Sequence, residues 1–93
     1  MNLLDINYQV RRETKNQKSR FVLSIPSILV RTQQVRKGDK VIKLIIGDYE
    51  FPVNSTVRKS GNCFVITVPS YLIHNNVVFL GDVVRYIDLK RKV

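Results

Sequence analysis

Apolar positions in this chain fall into short runs, each closed by a turn-forming residue. Residues 4–10, 21–25, 40–46, 64–68 and 83–89 are rich in Val, Ile, Leu and Phe. β-Branched and aromatic side chains suit a pleated surface better than a helical turn, so each run predicts a strand. The runs at 21–25 and 64–68 stop at Pro26 and Pro69, because proline brings no N–H to a ladder. Proline is well placed to start a helix, and 27–34 and 70–76 are expected to form a short helix or helical turn. Gly38-Asp39 and Gly81-Asp82 then mark turns before the next strands. Gly47-Asp48 leads into a further short strand at 49–51. A polar, basic segment precedes each Phe-Val run, at 11–18 and 55–60, and hairpin turns are expected at Lys18-Ser19 and Gly61-Asn62.

This order of elements occurs twice. Offset by 43 positions, Phe21-Val22-Leu23-Ser24-Ile25-Pro26-Ser27 falls on Phe64-Val65-Ile66-Thr67-Val68-Pro69-Ser70. Without a gap, Leu29 meets Leu72, Val35 meets Val78, and Gly38-Asp39 meets Gly81-Asp82. Nine of 31 pairs between 16–46 and 59–89 are identical, so the chain is read as an internal duplication. The same offset sets Asp5 on Asp48, Tyr8 on Phe51 and Val10 on Val53. Residues 4–10 are therefore expected to supply the strand that the second copy lacks. The predicted organisation is a single domain over 1–93, with repeat one at about 10–53 and repeat two at about 54–93, completed by residues 4–10. Closure about a pseudo-twofold would remove the sheet edges.

Charge changes the picture from fold to partner. Sixteen Lys and Arg against seven acids leave a formal net charge of +9. A domain this basic suits a polyanion, and counterion release makes nucleic acid the favoured one. An anionic membrane would ask for an amphipathic helix or a lipidation signal, and neither is seen. Cys63 and His74 are the only residues of their kinds. Neither a nucleophile–base pair nor a metal cluster can be assembled from them, so no enzyme activity, cofactor, metal or small-molecule substrate is expected. The opening residues lack the basic and apolar regions of a secretory signal, which reads as an intracellular, cytoplasmic chain. An Asn-, Ile- and Lys-rich composition without Ala points to an AT-rich archaeal or viral genome, with the host cytoplasm as the location in the viral case.

The segment Gly61-Asn62-Cys63-Phe64-Val65-Ile66-Thr67-Val68-Pro69-Ser70-Tyr71-Leu72-Ile73, followed by Gly81-Asp82-Val83-Val84, resembles the SpoVT-AbrB (AbrB/MazE-like) domain. Ser24-Ile25-Pro26 and Gly38-Asp39-Lys40-Val41 repeat that pattern in the first copy. The resemblance implies a mainly β, pseudo-twofold barrel of the double-psi or swapped-hairpin kind, built from two tandem β-β-α-β-(β) repeats with short helical turns. It also implies sequence-selective binding of double-stranded DNA and transcription regulation. Family members usually contribute one motif per chain and interlock two chains. Two motifs here suggest a fused, monomeric pseudo-dimer, with a homodimer as the other possibility. The first copy departs from the pattern by carrying Lys18-Ser19-Arg20 where the second has Gly61-Asn62-Cys63. An antitoxin would carry a long acidic tail, whereas three residues follow Lys90 here and two of them are basic.

In the related family, DNA is met by basic residues on the first strand and around the hairpin. The candidates are Arg11, Arg12, Lys15, Lys18 and Arg20 in the first arm and Arg58 and Lys59 in the second. Lys15 and Arg58, aligned by the 43-residue offset, come first. Arginine can fork onto guanine edges and lysine supplies charge to phosphates, while Ser24 and Thr67 could add hydroxyl contacts. Five cations against two predict that the first arm dominates the footprint. Arg31, Arg36, Lys37, Lys40 and Lys43 are read as solvated or as reaching distant phosphates. Phe21, Phe64, Tyr8, Tyr49 and Phe51 are read as core. Cys63 is expected as a small buried or edge residue, and His74 at the end of the short helix. Two other functions stay open. One is an antitoxin-like or adaptor module that grips a partner protein; the other is a single-strand or RNA binder, which would need exposed aromatics on a basic face.

Overall fold

The Val- and Ile-rich runs all extend as strands in the computed structural model, which describes residues 3–16 and 18–90. Their order is β1 (Leu3–Gln9), β2 (Arg11–Lys15), β3 (Lys18–Ser24), α1 (Ser27–Arg31), β4 (Lys40–Ile46), β5 (Tyr49–Thr56), β6 (Arg58–Ser60), β7 (Cys63–Thr67), α2 (Ser70–His74) and β8 (Val83–Lys90). Antiparallel pairing arranges them in two four-stranded sheets, β1-β8-β4-β5 and β2-β3-β7-β6. Exchanging β1 with β5, β2 with β6, β3 with β7 and β4 with β8 leaves both orders unchanged. The central pairs reveal where the relating axis runs. Leu23 stands opposite Ile66 across β3 and β7, and Leu44 stands opposite Ile87 across β4 and β8. Both pairs are 43 residues apart, and all four side chains are fully buried. The core therefore gathers on the pseudo-axis between the sheets, with Leu29 and Leu72 of the two helices joining it.

The two helices are single turns because the backbone reverses hand just after them. Gln33 (φ 61°) and Asn76 (φ 56°) both take the left-handed region, which ends a helix. The expected helical stretches, 27–34 and 70–76, are thus cut back to Arg31 and His74. The turns that follow are held by matching carboxylates. Asp39 accepts the Arg36 N–H and Asp82 accepts the Phe79 N–H, each at 2.9 Å. These aspartates are turn formers in both copies.

Three expectations need correction. The strands do not close into a barrel: each sheet keeps two edge strands, β1 and β5 in one and β2 and β6 in the other. The first hairpin turns at Asn16 (φ 52°), not at Lys18-Ser19, since Lys15 pairs with Lys18. That hairpin has five rungs, from Arg11 opposite Val22 to Lys15 opposite Lys18; the second has three, from Arg58 opposite Val65 to Ser60 opposite Cys63. Four extra residues in the first hairpin change the offset for everything preceding it. Residues 4–10 do lie in and beside β1, which pairs with β8, but Leu4 takes the place of Phe51, Tyr8 of Ser55 and Val10 of Val57. The working offset there is 47, not 43.

Aromatic placement also differs from expectation. Phe21, Phe64 and Phe51 do pack against the core, but Tyr49 is 72% exposed and Tyr8 43%. Both tyrosines sit on the edge strands of the first sheet, where one flank has no neighbour to cover it. No helix among the described residues is long and apolar enough to cross a membrane.

Candidate nucleic-acid interface

Two hairpins, β2–β3 and β6–β7, form the second sheet by joining β3 to β7. With the hairpin lengths accounted for, Arg11 is the equivalent of Arg58, and Arg12 of Lys59, because Val22 and Val65 anchor the same rung. The chemistry follows that equivalence. Arg11 Nε donates to Ser24 Oγ at 3.1 Å, and Arg58 Nε donates to Thr67 Oγ1 at 3.4 Å. Ser24 and Thr67 are themselves 43 residues apart, so each hairpin carries the same arginine–hydroxyl pair.

One carboxylate breaks the symmetry. Glu13 on β2 accepts from Arg58 Nη2 at 3.1 Å and from Ser60 Oγ at 2.8 Å, both on β6. β2 and β6 are opposite edges of the sheet, so this bridge spans the central pair. Val22 and Val65 of that central pair are fully buried, although their neighbours Leu23 and Ile66 face the main core from the other side of the strands. The sheet curls enough for its edges to meet through side chains rather than through backbone. The Glu13 side chain is only 14% exposed. The Ser60 hydroxyl first, then the Arg58 guanidinium, hold its carboxyl below the ordinary value of 4.5, against a smaller opposing effect of burial. A carboxyl held low stabilises the fold above the ordinary range and loses that contribution as pH falls through its lowered value. Acid titration of unfolding free energy below about pH 4.5 is therefore expected to be shallower in Glu13→Gln than in the parent. Superimposable curves would show that the bridge contributes nothing.

Beside each hairpin lies a cleft that it shares with the helix of the other repeat. Arg12, Phe21, Thr67, Val68, Ser70, Ile73 and His74 are among the residues lining the first, about 320 Å³. Lys59, Phe64, Ser24, Ile25, Ser27, Val30 and Arg31 line the second, about 580 Å³. Residue for residue, in the order given, these walls are equivalent under the pseudo-twofold. Each cleft has a cation on its strand wall (Arg12 or Lys59) and a basic side chain at its helix end (His74 or Arg31). A pair of cationic, hydroxyl-lined clefts can accept anionic oxygens at two symmetric places.

Of the nine residues expected to bind DNA, Arg12, Lys18, Arg20 and Lys59 are exposed on the hairpins, and Arg12 lies over the Phe21 ring at 5.7 Å. Arg11 and Arg58, with Ser24 and Thr67, are drawn together in the polar pairs described above. Lys15 has its backbone at the end of β2, and its side chain lies outside the described residues. Its pairing with Arg58 is replaced by the pairing of Arg11 with Arg58. Glu13 was missed, and nothing local in the sequence pointed to it, since its partners are 45 and 47 positions away. Arg31 and His74 could have been found from Pro26 and Pro69, which start the helices that place them. Cys63, at the start of β7, is exposed. Among the described residues, no group of His, Cys, Asp and Glu could hold a metal ion.

No family model, curated protein or solved structure matches this chain.

Proposed function

We propose that this chain binds double-stranded DNA through its two hairpins and acts as a transcription regulator. In this reading it is a tandem SpoVT-AbrB-like domain in which one chain supplies both halves of a swapped-hairpin unit. The observation that carries the reading is the matched pair of arms. Cations occupy equivalent rungs, Arg11 with Arg58 and Arg12 with Lys59, beside equivalent clefts. A two-stranded ribbon fits a major groove, and twofold-related cations suit the twofold-related phosphates of a duplex. The net charge of +9 supplies the long-range attraction.

The arms are tested by Arg12→Ala combined with Lys59→Ala, two exposed side chains whose loss leaves the core intact. Duplex affinity, measured by fluorescence anisotropy, is expected to fall roughly tenfold or more, with an unchanged thermal midpoint. Unaltered affinity would remove the hairpins from the interface.

One feature favours a second reading, that of a protein-binding adaptor or antitoxin-like module. Val77, Phe79 and Leu80 on the turn after α2 and Val83 at the start of β8 are exposed, where the first repeat carries Gln34, Arg36, Lys37 and Lys40. An apolar turn of this kind suits a protein surface. An adaptor of this sort would show no specific, salt-sensitive association with duplex DNA.

A further inference from the structure

Cross-repeat packing sets the loop that follows each helix beside the hairpin of the other copy. Gly38 N donates to Val57 O at 3.0 Å, and Val57 N donates to Asp39 O at 2.8 Å. These bonds fasten the first loop against the residue preceding Arg58. The matching bonds, Gly81 N to Val10 O at 2.9 Å and Val10 N to Asp82 O at 2.8 Å, fasten the second loop beside Arg11. Backbone geometry is thus shared by the two loops, down to the aspartate that closes each turn.

Their side chains are opposite in character. Arg36 and Lys37 of the first loop and Lys40 at the start of β4 are exposed cations, and their equivalents Phe79, Leu80 and Val83 are exposed and apolar. Since the same backbone accommodates both sets, the fold does not require the charges. Their position does suggest a use. The second hairpin has two cations, Arg58 and Lys59, and Arg58 is committed to Glu13. It is beside this poorer hairpin that the basic loop is clamped. Arg31 enters the same region through the cleft it shares with Lys59. Lys90 stands opposite Lys40 in the β4–β8 ladder, and both line a depression with Gly38 and Thr56. The first hairpin, with five cations, has beside it the apolar loop, which carries no cation.

We propose that the loop bearing Arg36 and Lys37, together with Lys40 and Lys90 at the adjoining ends of β4 and β8, contacts the phosphate backbone and supplies the charge that the second hairpin lacks. The two sides of the pseudo-twofold then carry comparable positive charge by different routes, one from its own hairpin and the other from the neighbouring repeat's loop. A footprint dominated by the first arm, as the sequence alone predicts, gives way to a balanced one. The proposal rests on the duplex-binding reading, and it adds a segment outside both hairpins.

Its test compares three proteins on one duplex across a salt series: the parent, Arg36→Ala with Lys37→Ala, and Lys43→Ala with Arg85→Ala. The last pair removes the same charge from interior positions of β4 and β8, away from the strand ends that carry Lys40 and Lys90, which controls for net charge. Every phosphate that the protein ceases to neutralise lowers the slope of log affinity against log salt by about 0.9. The loop pair is therefore expected to reduce the slope by about two, and the control pair by distinctly less. Equal behaviour of the two pairs on a duplex that the parent binds would overturn the loop assignment and leave the hairpin reading standing. A parent that does not bind duplex DNA would overturn the hairpin reading itself. Matching thermal midpoints identify the comparison as one among folded proteins.

Discussion

Leu44→Ala and Leu23→Ala are each expected to lower unfolding free energy by about 2–5 kcal/mol, the cost of emptying a fully buried leucine site that collapses only partly. The reason lies in where they sit. Each faces its counterpart from the other repeat, Ile87 or Ile66, on the pseudo-axis. A cavity there removes packing from both halves at once. A domain of this size has only about 5–15 kcal/mol of stability, and each kcal/mol moves its thermal midpoint by about 4–8 °C. One such substitution should be visible as a drop of roughly 10 °C or more, and Leu44→Ala with Ile87→Ala should leave little folded protein. Because those two side chains touch the same space, their effects should not add. Ile28→Ala is the contrast: its side chain is 54% exposed, and a change within about 0.5 kcal/mol is expected. Urea denaturation of the four variants checks this. A Leu44→Ala no weaker than Ile28→Ala would remove the axis from the centre of the core.

The second large effect is on binding. If roughly six to ten phosphates are engaged, duplex affinity should fall about a thousand- to a hundred-thousandfold between about 50 and 200 mM salt. The exposed cations that could take part are Arg11, Arg12, Lys18, Arg20 and Lys59 on the hairpins, Arg31, Arg36 and Lys37 on the helix and loop of the first repeat, and Lys40 and Lys90 at the adjoining ends of β4 and β8. Each phosphate neutralised releases condensed counterions, and dilution of those ions is the driving force that added salt takes away. Titration of one labelled duplex at several ionic strengths measures the slope directly. A level response would exclude DNA as the partner and favour the protein-binding reading.

Much of the fold was legible in the residues, and the failures have a common physical cause. Strand β4 has the bounds expected for it, Lys40–Ile46. Pro26, Pro69, Gly38 and Gly81 punctuate the chain where a missing N–H or a positive φ demands it. The offset of β1 was misread because four residues are an even number. Side chains alternate faces with a period of two, so a slip of four keeps every apolar residue on its proper face. Hydropathy cannot register such a slip, and only the ladder between Tyr8 and Val84 does. Closure was overestimated for a related reason. Whether a sheet's ends meet depends on accumulated twist and curl, which no short segment encodes. At the candidate site, charge was legible but its distribution was not. In the sequence, Arg36 and Lys37 read as solvated or as reaching distant phosphates, and nothing in it reveals that the Gly38–Val57 bond sets their loop beside the other repeat's hairpin.

The unequal hairpins have a mechanical consequence. Two additional rungs at about 3.3 Å each let the first hairpin reach roughly 7 Å further than the second. A pair of identical chains would present probes of equal length and so favour inverted half-sites. Here a long finger and a short one are locked in a single polypeptide, so the molecule has a front and a back. On a duplex it would sit in one orientation, and the target it selects should read differently in the two directions.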